Sequence, residues 1–493
     1  MELARKVGRL FSVPAHALTD DAVRHVRDNH VGGVIWFQTT TDVARRANEE
    51  LQSLSDEPLL VSADLESGMG MRFTDATWWP PAMALAATGS LELAEEQARV
   101  TAIEARAIGI NHVLAPVCDV NIDPLNPVIN TRSFGEDPAE VARYVEAYVR
   151  GIQSGGCLAT AKHFPGHGDT HVDSHRALPV LDVDGERLAR VELVPFRAAI
   201  DADVASVMLG HLAVPSLDPT LVPVRVQFEN TWGTSHEEVT RGGTMPATLS
   251  APAIALMRSL GFDGMAMTDA MDMGGLAAHF DPGEAAVRAI EAGCDQVLYS
   301  ANTDAAIAGV MAAVRSGRLA MSRIDEAYER VRRAAFIPPS ASERRAEARP
   351  AFGGAHDARA VDIARKSIAL VRDRSGLLPL TAQHVAVRAF AEDPLEIADS
   401  GNAETADVLL LLLGIRPRSG KGSISVPAEA RQLAERYAKK TIAVSLGSPY
   451  LLRELGDVST FICAWGPQPV LQRAAMEAIR GGFVMTGKVP VTI

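Results

Sequence analysis

Over its first 300 residues the chain repeats one pattern eight times: a short apolar run followed by a stretch of helical period. The runs lie at residues 7–13, 32–37, 59–64, 111–117, 157–163, 205–211, 264–269 and 295–299. Amphipathic stretches separate them at 20–29, 41–53, 91–108, 138–153, 185–200, 251–260 and 283–292. Alternation of this kind predicts parallel strands joined by helical crossovers, and eight such units predict a (β/α)8 TIM-like barrel. Helical patterns at 304–316 and 322–335 close the series, so the first domain is expected to span 1–336. Residues 337–354, rich in Pro, Arg, Ser and Glu, are expected to form an exposed linker. Beyond it, apolar runs at 367–372, 385–390, 408–413, 441–446 and 460–464 alternate with helical patterns at 355–365, 427–439 and 468–480. The run 408–413, Val followed by five Leu, suits a strand buried on both faces. The overall class is α/β, with the barrel followed by a smaller α/β sandwich domain at 355–493.

Ionisable residues recur where the barrel strands are expected to end. Asp64 closes the third run, Asp119 follows the fourth, Lys162 and His163 end the fifth, His211 the sixth and Asp269 the seventh. A barrel builds its active site at the C-terminal ends of its strands. Surface solubility alone would not gather charges at one end of successive apolar strands. A carboxylate held rigidly there, such as Asp269, can attack an electrophilic carbon. Asp272, three residues later, competes for that role but is expected to cap the following helix.

The densest cluster of polar side chains is 161–177, with four His and two Asp around Pro165, Gly166 and Gly168. These breakers deny it a helix or strand, so it is expected to be a loop leaving the fifth strand. Within it Asp173 and His175 stand two apart, a spacing that lets a carboxylate orient an imidazole for proton transfer. A rival assignment is a divalent-metal site drawing on His163, His167, Asp169, His171 and His175, although no H-E-x-x-H pattern is present.

The net charge of −13 argues against a nucleic-acid partner. The longest apolar run is too short to span a bilayer, and the N-terminus shows no secretory leader, so a cytoplasmic protein without membrane partners is expected. Four scattered cysteines, Cys118, Cys157, Cys294 and Cys463, are expected to be free buried thiols. Residues 414–422 faintly approach a phosphate-binding loop, but the glycine spacing is wrong and Gly422 replaces the required hydroxyl; a flexible surface loop is expected.

The stretch Lys162-His-Phe-Pro-Gly-His-Gly-Asp-Thr-x-x-Asp-Ser-His175 resembles the signature of the bacterial β-N-acetylglucosaminidase branch of glycoside hydrolase family 3. Asp64-Leu-Glu-Ser-Gly with Arg72, Asn126-Pro-Val-Ile with Arg132, and Thr268-Asp-Ala-Met-Asp-Met273 match in the family's order. So do Ser367-Ile-x-Leu, Leu378-Pro-Leu380 and Gly487-Lys-Val-Pro-Val491 in the second domain. The resemblance implies a retaining β-N-acetylhexosaminidase acting on β-linked glycosides such as muropeptide fragments, without metal or cofactor. It implies Asp269 as nucleophile, His175 as general acid/base with Asp173 as its partner, and Asp64, Arg72, Arg132, Lys162 and His163 as sugar ligands. Transfer to phosphate rather than water is a related alternative. Ser67 and Asn130 depart from residues usual in the family, and His171 is an extra imidazole. An apparent insertion at 222–245, carrying Trp232, His236, Glu237, Glu238 and Arg241, predicts either a flap over the pocket or a homodimer contact.

Overall fold

Eight strands lie side by side in the order β7-β6-β5-β4-β3-β2-β1-β8, every neighbouring pair parallel. They are β1 (Phe11–Ala15), β2 (Gly33–Trp36), β3 (Leu60–Ala63), β4 (His112–Val113), β5 (Leu158–Phe164), β6 (Ser206–Leu209), β7 (Met265–Thr268) and β8 (Val297–Leu298). A parallel bridge from Met267 to Gln296 brings β7 back to β8 and closes the barrel. The computed structural model describes residues 2–225, 243–336, 354–421 and 424–493.

The strands β2, β3, β4, β6, β7 and β8 are buried along their whole length, which is why their sequences are apolar without alternation. The crossover helices start at side-chain caps. Thr19, Ser90, Asp137, Asp184, Ser250, Asp281 and Asn302 each accept a hydrogen bond from a backbone N–H of the first turn. Pro138 and Pro282 follow two of these caps, where a missing N–H costs nothing.

Three expectations need correction. Residues 7–9 belong to a helix, Glu2–Arg9, and the first strand begins only at Phe11. Val7 and Leu10 are fully buried from a helix and a turn, so their apolar character did not report a strand. The helix expected over 185–200 breaks into Gly185–Arg190 and Leu193–Asp201. The fourth strand shortens to two residues. Beyond it, Pro116 can donate nothing to a ladder, and the chain follows β5 through the Val117–Lys162 bridge and the bond from Thr160 N to Ala115 O at 2.8 Å.

Inside the barrel sits a small polar layer. His112 Nε2 contacts Thr160 Oγ1 at 2.7 Å and Ser206 Oγ at 3.0 Å, and burial pushes its imidazole down to about 3. The ring is therefore neutral and structural.

The second domain is a five-stranded sheet in the order β10-β11-β12-β13-β9, parallel except for β9. Its strands are β9 (Ala369–Asp373), β10 (Val385–Ala391), β11 (Val408–Gly414), β12 (Thr441–Ser445) and β13 (Thr460–Cys463). Strand β11 is buried throughout. The helix Ala355–Ser367 packs on both Ala82–Thr88 of the barrel and Pro469–Ile479 of the second domain. The chain then ends by returning to the barrel. Lys488 N donates to Ala87 O at 2.8 Å, Glu136 N to Pro490 O at 3.4 Å, and Thr492 Oγ1 to the Glu136 carboxylate. All four cysteines are buried. Among the described residues no helix is long and apolar enough to cross a membrane. The expected linker, apart from Gly354, lies outside the described residues. So do Trp232, His236, Glu237, Glu238 and Arg241; the described base of that segment is antiparallel, with Val222 N donating to Gly243 O at 3.0 Å.

Candidate active site

A cavity of about 940 Å³ opens at the C-terminal ends of the barrel strands and runs up to the second domain. Asp64, Arg72, Arg132, Lys162, His163, His175 and Asp269 all line it. Asp173 lies behind His175, 2 % exposed.

The floor is a buried ion network. Lys162 Nζ, on β5, reaches Asp64 Oδ1 at 2.8 Å and Glu66 Oε1 at 2.7 Å. Arg72 binds the other oxygen of Asp64. Arg132 grips Glu66 with two parallel bonds, Nε to Oε2 at 2.9 Å and Nη2 to Oε1 at 2.8 Å. Burial opposes ionisation of both carboxyls, but the cations outweigh it: Lys162 and Arg72 hold Asp64, and Arg132 and Lys162 hold Glu66, far below the usual carboxylate range. The same pairing overcomes the burial that would discharge Lys162 and holds its ammonium above the ordinary value. All these groups are charged at neutral pH, so the floor offers both donors and acceptors to a polyhydroxylated ligand.

The four histidine rings of the 161–177 loop do not converge on one point but are held by different side chains. His163 Nδ1 meets Asp119 Oδ2 at 2.7 Å, and His167 N donates to Asp119 Oδ1 at 2.7 Å. His167 is buried between Thr170 Oγ1 at 2.6 Å and Ser174 Oγ at 3.1 Å, and burial depresses it to about 4. His171 stands on the surface against Asp123 Oδ2 at 2.6 Å. His175 Nδ1 lies 2.8 Å from Asp173 Oδ1, which also accepts the His175 backbone N–H at 2.9 Å. Among the described residues no three His, Cys, Asp or Glu side chains are placed to hold a metal ion together.

Asp269 follows β7 directly, its backbone tied by Asp269 N to Leu209 O at 3.0 Å and its Oδ1 accepting from Ala270 N at 2.8 Å. Burial pushes the carboxyl up, yet the nearby His163 and His211 and the Ala270 N–H hold it below the ordinary range. It is an anion pointing into a cavity, a good position for a nucleophile. His211 is itself buried, between Thr248 Oγ1 at 2.8 Å and Ala270 O at 2.9 Å.

Asp272 does not cap the next helix. That helix, Gly274–Ala277, has Met273 at its N-cap and no side-chain cap bond. Asp272 instead faces the cavity, where burial raises its carboxyl to about 6. The segment 414–422 is corrected too: its described part, up to Lys421, is no free surface loop but forms part of the cavity wall. Arg416, Pro417, Arg418 and Ser419 line it, together with Asp393, Trp465 and Gln468 of the same domain. Residue Gly422 lies outside the described residues.

The description "Glycosyl hydrolase family 3 N terminal domain" matches residues 2–334. The chain belongs to glycosyl hydrolase family 3. Over 99 % of its length it is 31 % identical to a family-sized relative from Cellulomonas fimi, a β-N-acetylglucosaminidase/β-glucosidase of which it covers 93 %. A β-hexosaminidase of Mycobacterium tuberculosis is 33 % identical over 63 % of this chain and 77 % of its own. Among solved structures, a family 3 β-N-acetylglucosaminidase from Paenibacillus superposes with a TM-score of 0.83 at 30 % identity, covering 100 % of this chain and 99 % of its own.

Two members of this family 3 site escaped sequence reasoning as partners of the named ligands. Glu66 sits two residues from Asp64, so an extended strand end turns both carboxylates the same way; that spacing was a usable signal. Asp119 was visible as a strand-end carboxylate, but its grip on His163 and His167 needs the fold to bring 119 beside 163.

Proposed function

We propose that this protein is a retaining exo-β-N-acetylglucosaminidase that removes terminal N-acetylglucosamine from β-linked glycosides such as muropeptide fragments. The observation that carries this reading is one cavity lined by an ionised Asp269, the Asp173-supported His175 and the Asp64–Lys162–Glu66–Arg132 network. In the first step the Asp269 carboxylate attacks the anomeric carbon while His175 gives its proton to the departing glycosidic oxygen. Before the transfer the ring is the imidazolium, stabilised by the ionised Asp173 in contact with Nδ1, and after it the ring is neutral imidazole. In the second step His175 takes a proton from water, whose oxygen displaces Asp269 from the anomeric carbon. The proton is thereby returned to His175 and net retention results. A histidine in this role places no second negative charge beside the nucleophile. Asp64, Arg72, Arg132, Lys162 and His163 would hold the sugar hydroxyls.

The test is release of nitrophenol from the β-N-acetylglucosaminide and the β-glucoside by wild type, Asp269→Ala and His175→Ala, in phosphate and phosphate-free buffer. Asp269→Ala is expected to lose essentially all turnover, and full activity would sink the nucleophile assignment. His175→Ala is expected to lose far more on poor leaving groups than on nitrophenol, since only the former need a proton. Sugar 1-phosphate as product would replace hydrolysis by phosphorolysis.

A further inference from the structure

Asp173 is a carboxylate on a barrel loop, buried to 2 % exposure, and its two oxygens are satisfied from different directions. Oδ1 takes the backbone N–H and Nδ1 of His175, two residues away. Oδ2 accepts from Gly420 N at 2.7 Å, across 247 residues of sequence and from the other domain. A buried carboxylate oxygen left without a donor is costly, so this third bond is no incidental contact.

The donor is built for its place. Lys421 N closes a turn onto Arg418 O at 3.1 Å, and Gly420 occupies its third position with φ of +78°. That is the position in a type II turn where a side chain is strained and glycine is not. The turn is fixed within its own domain by Arg416 Nε on Asp393 Oδ2 at 2.8 Å and by the Lys421–Glu392 ion pair. A second strut crosses the domains beside it, Arg176 Nη1 to Lys421 O at 3.4 Å. From below, the loop hangs on the segment after β7. Gly274 N donates to His175 O at 2.9 Å and Gly275 N to Ser174 O at 3.0 Å, and a Cβ on Gly274 would come within 2.6 Å of His175 O. The dyad is thus gripped between the barrel floor and the second domain.

We infer that the second domain completes the general acid/base: the Arg418–Lys421 turn, through the Gly420 N–H, positions the Asp173 carboxylate that orients His175. Gly420 is a positioning residue, since it touches the dyad and not the reacting atoms. The inference rests on the reading of His175 as proton carrier. It has a chemical consequence. If the carboxylate turns away, the imidazole loses the partner that fixes its tautomer and stabilises its charged form, while Asp269 is untouched. The charged and titratable groups whose fields reach His175 include Asp173, Asp269, Asp272 and His211.

The experiment compares Gly420→Pro, which removes the N–H together with the positive-φ turn that presents it, with Gly420→Asn, which keeps the N–H and tolerates positive φ. For each, kcat/KM is measured on β-N-acetylglucosaminides whose leaving groups range from dinitrophenol to an alkyl alcohol. Gly420→Pro is expected to fall about 10²-fold on the alkyl glycoside and within about 3-fold of wild type on the dinitrophenyl one, the selective signature of a weakened general acid. Gly420→Asn should recover most of the loss. Glu392→Gln, which frees the turn while keeping every N–H, should give the same selectivity in weaker form if the proline variant does not fold. Equal losses on both leaving groups, or no recovery in Gly420→Asn, would overturn the inference. His175→Ala run alongside separates the two levels. If it shows leaving-group selectivity and the turn variants do not, only the positioning role fails. If it shows none, the acid/base reading fails and this inference with it.

Discussion

Replacing Glu66 by Gln isolates what the ion network at the cavity floor contributes, because the shape is kept and only the charge goes. Wild type sets three cations, Arg72, Arg132 and Lys162, against two carboxylates, Asp64 and Glu66. The variant leaves three against one, with Arg132 deprived of its paired acceptor and Lys162 of one of two. Removing one partner of a buried ion pair costs about 3–5 kcal/mol, and the amide oxygen can still accept one bond, so about 3 kcal/mol is expected. The pH dependence gives a second, independent check. The folded-state carboxyl of Glu66 is depressed, so its stabilising contribution is complete above the unfolded-state value. It is lost as pH falls below that value, about 4.3, towards the depressed folded one. Denaturant titrations of wild type and Glu66→Gln should therefore differ fully at pH 7 and begin to converge below about pH 4, where the unfolded-state carboxyl takes up a proton that the folded one still refuses. A gap under about 0.5 kcal/mol at pH 7, within the range of an ordinary surface substitution, would refute the reasoning. So would a gap of constant size down to pH 3. The same variant should lower kcat/KM, because two of the proposed sugar-binding cations lose their alignment.

Two further outcomes follow from the structure. Asp272, raised to about 6 by burial, is an unfavourable charge in the folded state above that pH. Asp272→Asn should stabilise the protein by roughly 1–2 kcal/mol at pH 8 and by nothing near pH 4, read from unfolding midpoints at the two values. Any inflection of kcat/KM near pH 6 should vanish in the same variant; survival of the inflection would assign it to another group. In the second domain, Leu411 is fully buried in the middle of β11. Leu411→Ala should cost about 2–5 kcal/mol, seen as an earlier denaturation midpoint, and a loss below about 1 kcal/mol would mean the site collapses around the gap.

The barrel was legible because parallel strands covered on both faces must be apolar throughout: six of the eight expected runs contain their barrel strand whole, the fourth run a strand of only two residues, and the fifth run misses only Phe164. The first was misplaced for a physical reason: Val7 and Leu10 face the core from a helix and a turn, and a short apolar run carries no period long enough to tell helix from strand. The strand-end ionisable residues were equally visible, since nothing but function gathers charge at one rim. What stayed hidden was every relation made by folding. Nothing near Asp119 announces His163 as its partner, and nothing near Gly420 announces Asp173. The spacing that argued against phosphate binding at 414–422 was sound chemistry, but it left the segment with no assigned task although its turn touches the dyad. Asp272 looked like a cap because a carboxylate ahead of a helix commonly is one; the helix simply begins one residue further on, at a cap with no side-chain bond.

The last seven residues give the chain a closed path. Gly487 N bonds Ile368 O at the head of β9, Lys488 N bonds Ala87 O in the barrel, and Pro490 O meets Glu136 N just after the segment that carries Arg132. The final stretch is thus laced through both halves like a drawstring, tied at the rim that holds Arg132. A substitution within residues 487–492 therefore acts on the seam between the halves, even where it lies far from the cavity.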